Sequence, residues 1–142
     1  LITPLSSLSF RPATEEEIKI YIASPYTNGW MPENIKRQMK TADELIDLGY
    51  YPYVPLLTHF LEIYSHKEEY KWLELDFAFL KQCNALLRLK PIDKNGIEIT
   101  SKGADQEEQI AKQHNIPVFY TVEDLNDYFK SGYRQIKIEH NF

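Results

Sequence analysis

The sequence predicts an α/β domain built on a parallel sheet. Short runs of β-branched and aromatic residues alternate with longer amphipathic stretches along most of the 142 residues. That alternation is typical of parallel strands joined by right-handed helical crossovers. Hydrophobic residues make up 43% of the chain, which at this length suits one globular core rather than two. We therefore expect a single domain over residues 18–130, preceded by a poorly ordered leader (1–17) and followed by a C-terminal arm (131–142).

The predicted elements follow one another in a regular order. The first strand, IKIYIA, begins at Ile18 and ends at a loop rich in proline, asparagine and serine. An amphipathic helix follows, with Gly49 at its C-terminal cap and four apolar residues at helical spacing, Ile35, Met39, Ala42 and Ile46. The strand YYPYV, a long connection and a helix over residues 68–83 lead to a short buried strand, NALLRL. A long loop, an acidic helix, the strand IPVFY and the helix VEDLNDYFK complete the domain, and the arm contains a β-like run, IKI.

Composition favours a small-molecule partner. The formal net charge is −5 and no cluster of Lys and Arg occurs, whereas nucleic-acid polymers and anionic membranes both attract concentrated positive charge. No apolar run reaches the roughly 20 residues of a membrane span and no signal peptide is evident, which favours a cytoplasmic location. Cys83 is the sole cysteine and no metal-ligand spacing of Cys and His exists, so we expect no disulfide, no metal and no cofactor.

The loops that follow strands are where a ligand site is expected. In an open parallel sheet, ligands bind outside the carboxyl ends of the strands. The connections SPYTNGW and KPIDKNGIEITSKGADQEE are longer than a bare turn requires, and PLLTH opens another long connection. These three loops therefore carry most of the candidate site residues.

The stretch SKGADQEEQIA, at the start of the acidic helix, has two interpretations. In the first interpretation, Asp105, Glu107 and Glu108 are ordinary acidic residues at the start of a helix. The helix macrodipole stabilises each of them there by roughly 0.3–1 kcal/mol. Alternatively, Ser101, Gly103 and the free backbone amides cradle an anion or a sugar hydroxyl, while Glu107 points into the cleft. A carboxylate that stays ionised at neutral pH suits a nucleophile that attacks an anomeric carbon, because the transition state carries oxocarbenium-like positive charge.

A second carboxylate and several ring side chains are further candidates. Asp76 falls on the apolar face of its helix, where a carboxylate needs a partner, so it has either a structural hydrogen bond or a role at a site. His59 lies in a loop and is either simply solvated or a polar contact to substrate. Tyr26 and Trp30, on the first loop, are core or surface residues unless they stack on a planar base.

Several segments together resemble the nucleoside 2-deoxyribosyltransferase-like superfamily, in particular a bacterial and phage branch of unassigned function. They are YIASPYT, Arg37, GYYPYVPLLTH, WLELDFAFLKQCNALLRL, and SKGADQEEQIA followed by IPVFY, over roughly residues 18–120. The most specific element is the pattern formed by Ser101, Gly103, Glu107 and Ala111. The resemblance implies a flavodoxin-like (Rossmann-like) three-layer sandwich with a parallel sheet of about five strands.

The resemblance also implies roles for individual residues. It makes Glu107 the nucleophile that forms a glycosyl-enzyme ester, and Asp76 a second catalytic candidate that helps to place the substrate. Ser24 and Ser101 are implied to bind a phosphate or a ribose hydroxyl. The remaining substrate-binding candidates are Tyr26, Arg37, His59, Asn84 and Gly103.

One position departs from the superfamily pattern. Relatives usually carry an aspartate just before the third strand, where this chain has Asn84 in the context CNALL. An amide cannot donate a catalytic proton, although it can hydrogen-bond the edge of a base. If that aspartate protonates or holds the leaving base in relatives, we expect the activity of this protein to be weak, shifted to another substrate or absent.

Together these features predict an enzyme that cleaves or transfers the N-glycosidic bond of a nucleoside or nucleoside 5′-monophosphate, either as a deoxyribosyltransferase or as a hydrolase. The alternative is a non-catalytic domain that binds or senses a nucleotide in the same cleft. The resemblance and the lone terminal β-like run both predict a homodimer or larger homo-oligomer, in which the arm or the connection 59–70 contributes to the interface.

Overall fold

The computed structural model describes the backbone of residues 17–140 and the side chains of residues 17–131. Strands and helices alternate as the sequence predicts. In chain order the elements are β1 (Lys19–Ala23), α1 (Met31–Asp47), β2 (Tyr51–Tyr53), α2 (Leu56–His59), a 3₁₀ turn (Phe60–Ile63), α3 (Glu69–Leu80), β3 (Ala85–Arg88), α4 (Lys102–Gln113), β4 (Val118–Phe119) and α5 (Val122–His140). Within this described part, no helix combines the length and the apolar character needed to cross a membrane.

The sheet is parallel throughout and has the strand order β2-β1-β3-β4. The predicted α/β class and parallel sheet are therefore confirmed. The described residues form a sheet of 4 strands, slightly smaller than the predicted sheet of about five. β1 lies inside the sheet, where Tyr21 pairs with Tyr53 of β2 and with Leu86 of β3. Because β2 and β3 lie on opposite sides of β1, a topological switch point is formed between β1 and β3.

Helices cover both faces of the sheet, which makes a three-layer sandwich. Because successive side chains of a strand point to opposite faces, β1 and β3 each contribute to two cores. The core shared with α1 and α5 includes Ile20, Ile22, Leu45, Leu87 and Leu125. The core shared with α3 and α4 includes Tyr21, Ala23, Leu80, Leu86, Ala104 and Ala111. Each fully buried leucine or isoleucine stabilises the fold by about 1.5–3 kcal/mol relative to an exposed one.

Helix α1 is amphipathic, but its buried stripe is not the predicted one. The helix ends before Gly49, whose φ of +94° is the left-handed conformation that favours glycine, so the predicted cap is confirmed. Met39 and Ile46 of the predicted apolar stripe are mostly exposed. The side chains that α1 buries are Asn34, Gln38, Thr41 and Leu45. This stripe is largely polar because the side-chain amides of Asn34 and Gln38 hydrogen-bond to a neighbouring loop as well as packing on the core.

Two predicted segments differ from the structure. The connection after β2 contains α2 and the 3₁₀ turn, where the sequence predicts only a long connection. Residues 136–138, predicted to be β-like, lie inside α5, so that prediction is wrong. A three-residue run has too weak a β preference to end a helix that already extends from Val122. The predicted leader lies outside the described residues, apart from its last position.

Candidate active site

Two loops meet at the switch point, residues 24–30 after β1 and residues 89–101 after β3. They are fastened to each other, since the Asn28 side-chain amide donates to the Thr100 carbonyl oxygen at 2.7 Å. Gly29 has a φ of +82°, and a Cβ atom there would come within 3.1 Å of the Ile99 Cδ1 atom. The backbone conformation and the close contact therefore both favour glycine at this position.

The first of these loops is also held by α1. The side-chain amide of Asn34 donates to the carbonyl oxygens of Tyr26 at 3.0 Å and Asn28 at 2.6 Å. Gln38, one turn further along α1, donates to the Pro25 carbonyl oxygen at 3.1 Å. Both amides are buried, and leaving one without a partner costs about 1–3 kcal/mol. The polar stripe of α1 therefore fixes the shape of this loop.

Helix α4 begins beside the second loop and carries the buried glutamate. Ser101 is its N-cap, and its hydroxyl oxygen accepts a hydrogen bond from the Ala104 N–H at 3.2 Å. A Cβ atom added at Gly103 would meet nothing within 4 Å, so the first turn of α4 has an open flank. Glu107, one turn later, is buried and accepts a hydrogen bond from the hydroxyl group of Tyr21 on β1.

Burial controls the ionisation of Glu107. It raises the pKa of the carboxyl group to about 8, and the nearby Asp76 carboxylate acts in the same direction. The hydrogen bond from Tyr21 and the charge of Arg88 oppose this rise in pKa without cancelling it. The expectation of a carboxylate that stays ionised at neutral pH is therefore not met, because burial disfavours the charged form. Burial therefore favours the protonated form of Glu107 in the folded protein.

Asp76 and His59 form a pair close to Glu107. Asp76, on α3, is buried, as its position on the apolar face predicts. Its Oδ2 atom lies 3.0 Å from Nε2 of His59, while its Oδ1 atom has no hydrogen-bond partner among the described residues. Burial raises the pKa of Asp76, and the contact with His59 opposes that rise. A carboxylate–imidazole pair of this kind is suited to holding and transferring a proton.

A small cavity, called here the inner cavity, opens between these groups. The His59 ring packs against Trp72, with ring centroids 5.3 Å apart, and edge-on against Tyr26 at 6.0 Å. The inner cavity has a volume of about 40 Å³ and is lined by Ile22, Ser24, Tyr26, Gln38, Pro55, Leu56, His59 and Glu107. A space of this size holds little more than a few water molecules, so a nucleoside-sized ligand enters only if the surrounding loops open.

Apart from Asn84, the predicted site residues fall into three groups. Ser24, Tyr26, His59 and Glu107 line the inner cavity together, and Asp76 adjoins it through His59. Ser101 and Gly103 lie at the start of α4, on the open side of the helix before Glu107, and they do not line the cavity. Arg37 lies further out along α1, where it lines a different groove.

Asn84 is separated from this site. It precedes β3 at the amino end of the sheet, where its Oδ1 atom accepts a hydrogen bond from the Lys19 N–H at 2.7 Å. Arg88 marks the opposite end of β3, and four residues of extended strand span about 13 Å. Asn84 therefore lies at the edge of the sheet away from the switch point, because it stands at the beginning of a parallel strand, and it does not line the inner cavity.

Sequence reasoning missed three polar residues at this end of the sheet, Tyr21, Gln38 and Arg88. Tyr21 could have been found from its hydroxyl group, which needs a partner inside a buried strand. Arg88 is buried at the end of β3. It could have been found from the sequence because a charged residue is rare in a buried strand. Its Nη1 atom lies 2.8 Å from Oδ1 of Asp105 without the alignment of a hydrogen bond, and its Nε atom has no partner among the described residues.

The fold and the site define a class: an α/β domain whose switch point holds a buried carboxylate beside a small cavity. The chain belongs to the family described as Domain of unknown function (DUF7768), whose model matches residues 18–121. Among solved structures it is similar to a 2-deoxyribosyltransferase from the psychrotolerant bacterium Bacillus psychrosaccharolyticus, described as a biocatalyst for the synthesis of nucleosides. The two chains are 24% identical, with a TM-score of 0.55 over 70% of this chain and 69% of the other. This similarity shows a shared fold. No curated protein matches the chain.

Proposed function

We propose that the protein cleaves or transfers the N-glycosidic bond of a nucleoside or nucleoside 5′-monophosphate, with Glu107 as the nucleophile. The observation that carries this proposal is the position of Glu107, which is buried at the switch point, hydrogen-bonded by Tyr21 and exposed to the inner cavity on one side. The fold shared with a 2-deoxyribosyltransferase supports the same class of reaction. The substrate therefore lies with its sugar over Glu107.

In the first step, the Glu107 carboxylate attacks the anomeric carbon of the sugar. An ester C–O bond forms, the glycosidic C–N bond breaks, and its electron pair leaves with the base. Glu107 must lose its proton before it attacks, so the rate rises as pH rises through its pKa of about 8. Tyr21 positions the carboxylate through its hydrogen bond, and Arg88 contributes positive charge that favours the ionised form.

The departing base takes a proton from the pair formed by His59 and Asp76. His59 lines the inner cavity, and Asp76 holds its Nε2 atom, which leaves Nδ1 as the ring nitrogen for the substrate. His59 donates its Nδ1 proton to the base nitrogen, and Asp76 orients the ring through its contact with Nε2. This assignment gives Asp76 the catalytic role and His59 the contact with the base.

A second acceptor then resolves the ester. Water or another base attacks the anomeric carbon, the ester C–O bond breaks, and Glu107 leaves as a carboxylate. The proton of the acceptor returns to His59, which restores the starting state. Water as the acceptor makes the protein a hydrolase, and a base makes it a transferase.

A screen for free-base release tests the proposal. The protein is incubated with ribonucleosides, deoxyribonucleosides and their 5′-monophosphates, alone and with a second base, and the products are separated and identified by mass spectrometry. We expect release or exchange of the base from at least one substrate by the wild type and by Glu108→Gln. Glu108 is the matched control, because it neighbours Glu107 but pairs with Lys112 at 3.3 Å. Saturable binding without any base release contradicts the enzyme and supports the alternative, a nucleotide-binding domain.

We also propose that the protein forms a homodimer or a larger closed oligomer through the connection between β2 and α3. Ile63 and Tyr64 in this connection are 86% and 93% exposed, and Leu57 and Leu61 beside them are also exposed. Such a cluster of apolar side chains is typical of a contact surface. Light scattering during size exclusion should give at least a dimer for the wild type and a monomer for the double variant Ile63→Ser, Tyr64→Ser. A monomeric wild type at micromolar concentration contradicts this assembly.

A further inference from the structure

A second and larger opening lies on the outer side of the first loop. This outer groove has a volume of about 580 Å³, and its walls come from the start of α1 and from the loop after β3. Its apolar surface is provided by Trp30, Ile92 and Ile99. Trp30 is 68% exposed and Ile92 is 64% exposed, although large apolar side chains are usually covered when a core can cover them.

The outer groove is built from ordered parts. On one side, Arg37 is oriented by a hydrogen bond from its Nη1 atom to Oδ1 of Asn34 at 3.2 Å, and Asn34 is itself fixed by the first loop. On the other side, Asp93 folds its loop into a turn, since its Oδ1 atom accepts hydrogen bonds from the N–H groups of Asn95 at 2.8 Å and Ile97 at 3.0 Å. The groove therefore exists before any ligand binds.

The lining of the groove favours a flat, uncharged and polar-edged ligand. Two cations, Arg37 and Lys94, and two anions, Glu33 and Asp93, surround the apolar walls, so the rim carries no excess charge. Such a rim suits a ring that both donates and accepts hydrogen bonds at its edge. The exposed indole of Trp30 suits the apolar face of the same ring, because an aromatic side chain can stack on any nucleobase.

The size of the groove favours a small ligand over a protein partner. Pockets for small organic ligands have volumes of about 300–1,000 Å³, whereas a specific protein interface covers about 800 Å² on each partner. The outer groove falls within the first range and is concave. It also shares none of its lining residues with the inner cavity.

We propose that the outer groove is a separate binding site for a planar heteroaromatic ring of the nucleobase type. The ring stacks on Trp30 and directs its hydrogen-bonding edge towards Arg37. This site does not rest on the reaction proposed for Glu107. Because the first loop borders both the groove and the inner cavity, a ring bound here lies beside the reaction site without entering it.

The test is equilibrium binding of free adenine and free thymine, which carry no sugar to lie over Glu107, measured by calorimetry on the wild type. We expect saturable binding of at least one of them, and an affinity about tenfold lower for Trp30→Ala, because that variant lacks the stacking surface. Because Trp30 is exposed, the substitution leaves the core intact. In Trp72→Phe, where Trp30 is the remaining tryptophan of the two in the sequence, the same ligand should quench the fluorescence.

Two matched controls distinguish the outer groove from other locations. Met39→Ala removes an exposed apolar side chain of α1 outside the groove, and Glu107→Gln alters the inner cavity, so both should keep the wild-type affinity. Absence of saturable binding by every ligand overturns the proposal. Equal affinity in Trp30→Ala also overturns it, and so does loss of binding in Glu107→Gln, because the ring then occupies the inner cavity.

Discussion

The two ends of the sheet are built for different purposes. At the amino end, Asn84 completes the pairing of β1 with β3, since its side chain accepts from the Lys19 N–H and its own N–H donates to the Lys19 carbonyl oxygen at 2.8 Å. At the carboxyl end, Glu107, Asp76 and Arg88 are all buried, and two of them keep atoms without hydrogen-bond partners among the described residues. Buried polar groups of this kind are costly, so their concentration at one end indicates a site rather than a scaffold.

This contrast explains why the departure at Asn84 matters less than the sequence suggests. A missing aspartate is serious only if it belongs to the reacting end of the sheet. Asn84 is at the other end, whereas the pair of His59 and Asp76, the proton donor in the proposed reaction, adjoins the inner cavity.

Removing the carboxylate at the carboxyl end should abolish the reaction. Glu107→Gln is expected to lower base release by roughly two orders of magnitude or more, because the amide cannot act as the nucleophile. Circular dichroism should show a folded protein, since the glutamine oxygen can still accept the hydrogen bond from Tyr21. A Glu107→Gln variant with wild-type turnover would remove Glu107 from the mechanism.

The same variant should change how stability depends on pH. The folded state raises the pKa of Glu107 from 4.5 to about 8, so it binds a proton that the unfolded state has lost. The stability of the wild type therefore falls as pH rises across that window, whereas that of Glu107→Gln lacks this component. Thermal unfolding should show the variant gaining stability relative to the wild type as pH increases.

Removing the second carboxylate should move the pH profile. Because the charge of Asp76 raises the pKa of Glu107, Asp76→Asn is expected to shift the rise in base release to lower pH. The rate above that rise should fall roughly 100-fold, because the proton donor pair is broken. Turnover measured from mildly acidic to alkaline pH checks both effects, and an unchanged midpoint would show that the two carboxyl groups are not coupled.

Removing the Tyr21 hydroxyl group should shift the pH profile of base release in the opposite direction. Its hydrogen bond lowers the pKa of Glu107, so Tyr21→Phe is expected to shift the rise to higher pH and to reduce turnover at neutral pH about tenfold. The matched control is Tyr50→Phe, which removes a hydroxyl group bonded to Asn126 at 2.7 Å among the residues of the other core. A downward shift, or an equal effect in Tyr50→Phe, would contradict the positioning role of Tyr21.

A change at the amino end should have the smallest effect. Asn84→Asp keeps an oxygen that can accept from the Lys19 N–H, so turnover should stay within about twofold of the wild type. Steady-state assays across pH check this prediction. A large gain in turnover, or a new pH dependence, would mean that the amino end takes part in the reaction after all.

The fold was predictable because alternation of strands and helices is encoded locally in hydrophobic patterns. The position of Glu107 near the start of α4 and the burial of Asp76 on α3 were predictable for the same reason. Both side chains are placed by the helix that carries them. The parallel sheet then brings the two helices to one face.

The remaining features depend on contacts between distant segments. The buried face of α1 is polar because Asn34 and Gln38 hold the first loop, and hydrophobic spacing alone cannot reveal that. The pairing of His59 with Asp76, and of Tyr21 with Glu107, joins residues that are far apart in the sequence. Burial against β1 raises the pKa of Glu107. The sequence of α4 alone does not reveal that contact.

In the proposed reaction, Glu107 becomes covalently attached to the sugar. Intact-mass spectrometry of the wild type, mixed with a slowly turned-over substrate from the screen and quenched in acid, measures this directly. We predict a mass increase equal to one glycosyl group, located by proteolysis on the peptide that contains Glu107 and absent from Glu107→Gln but present in Glu108→Gln. Base release by the wild type with no adduct at any time point, or an adduct on a different residue, would contradict the claim.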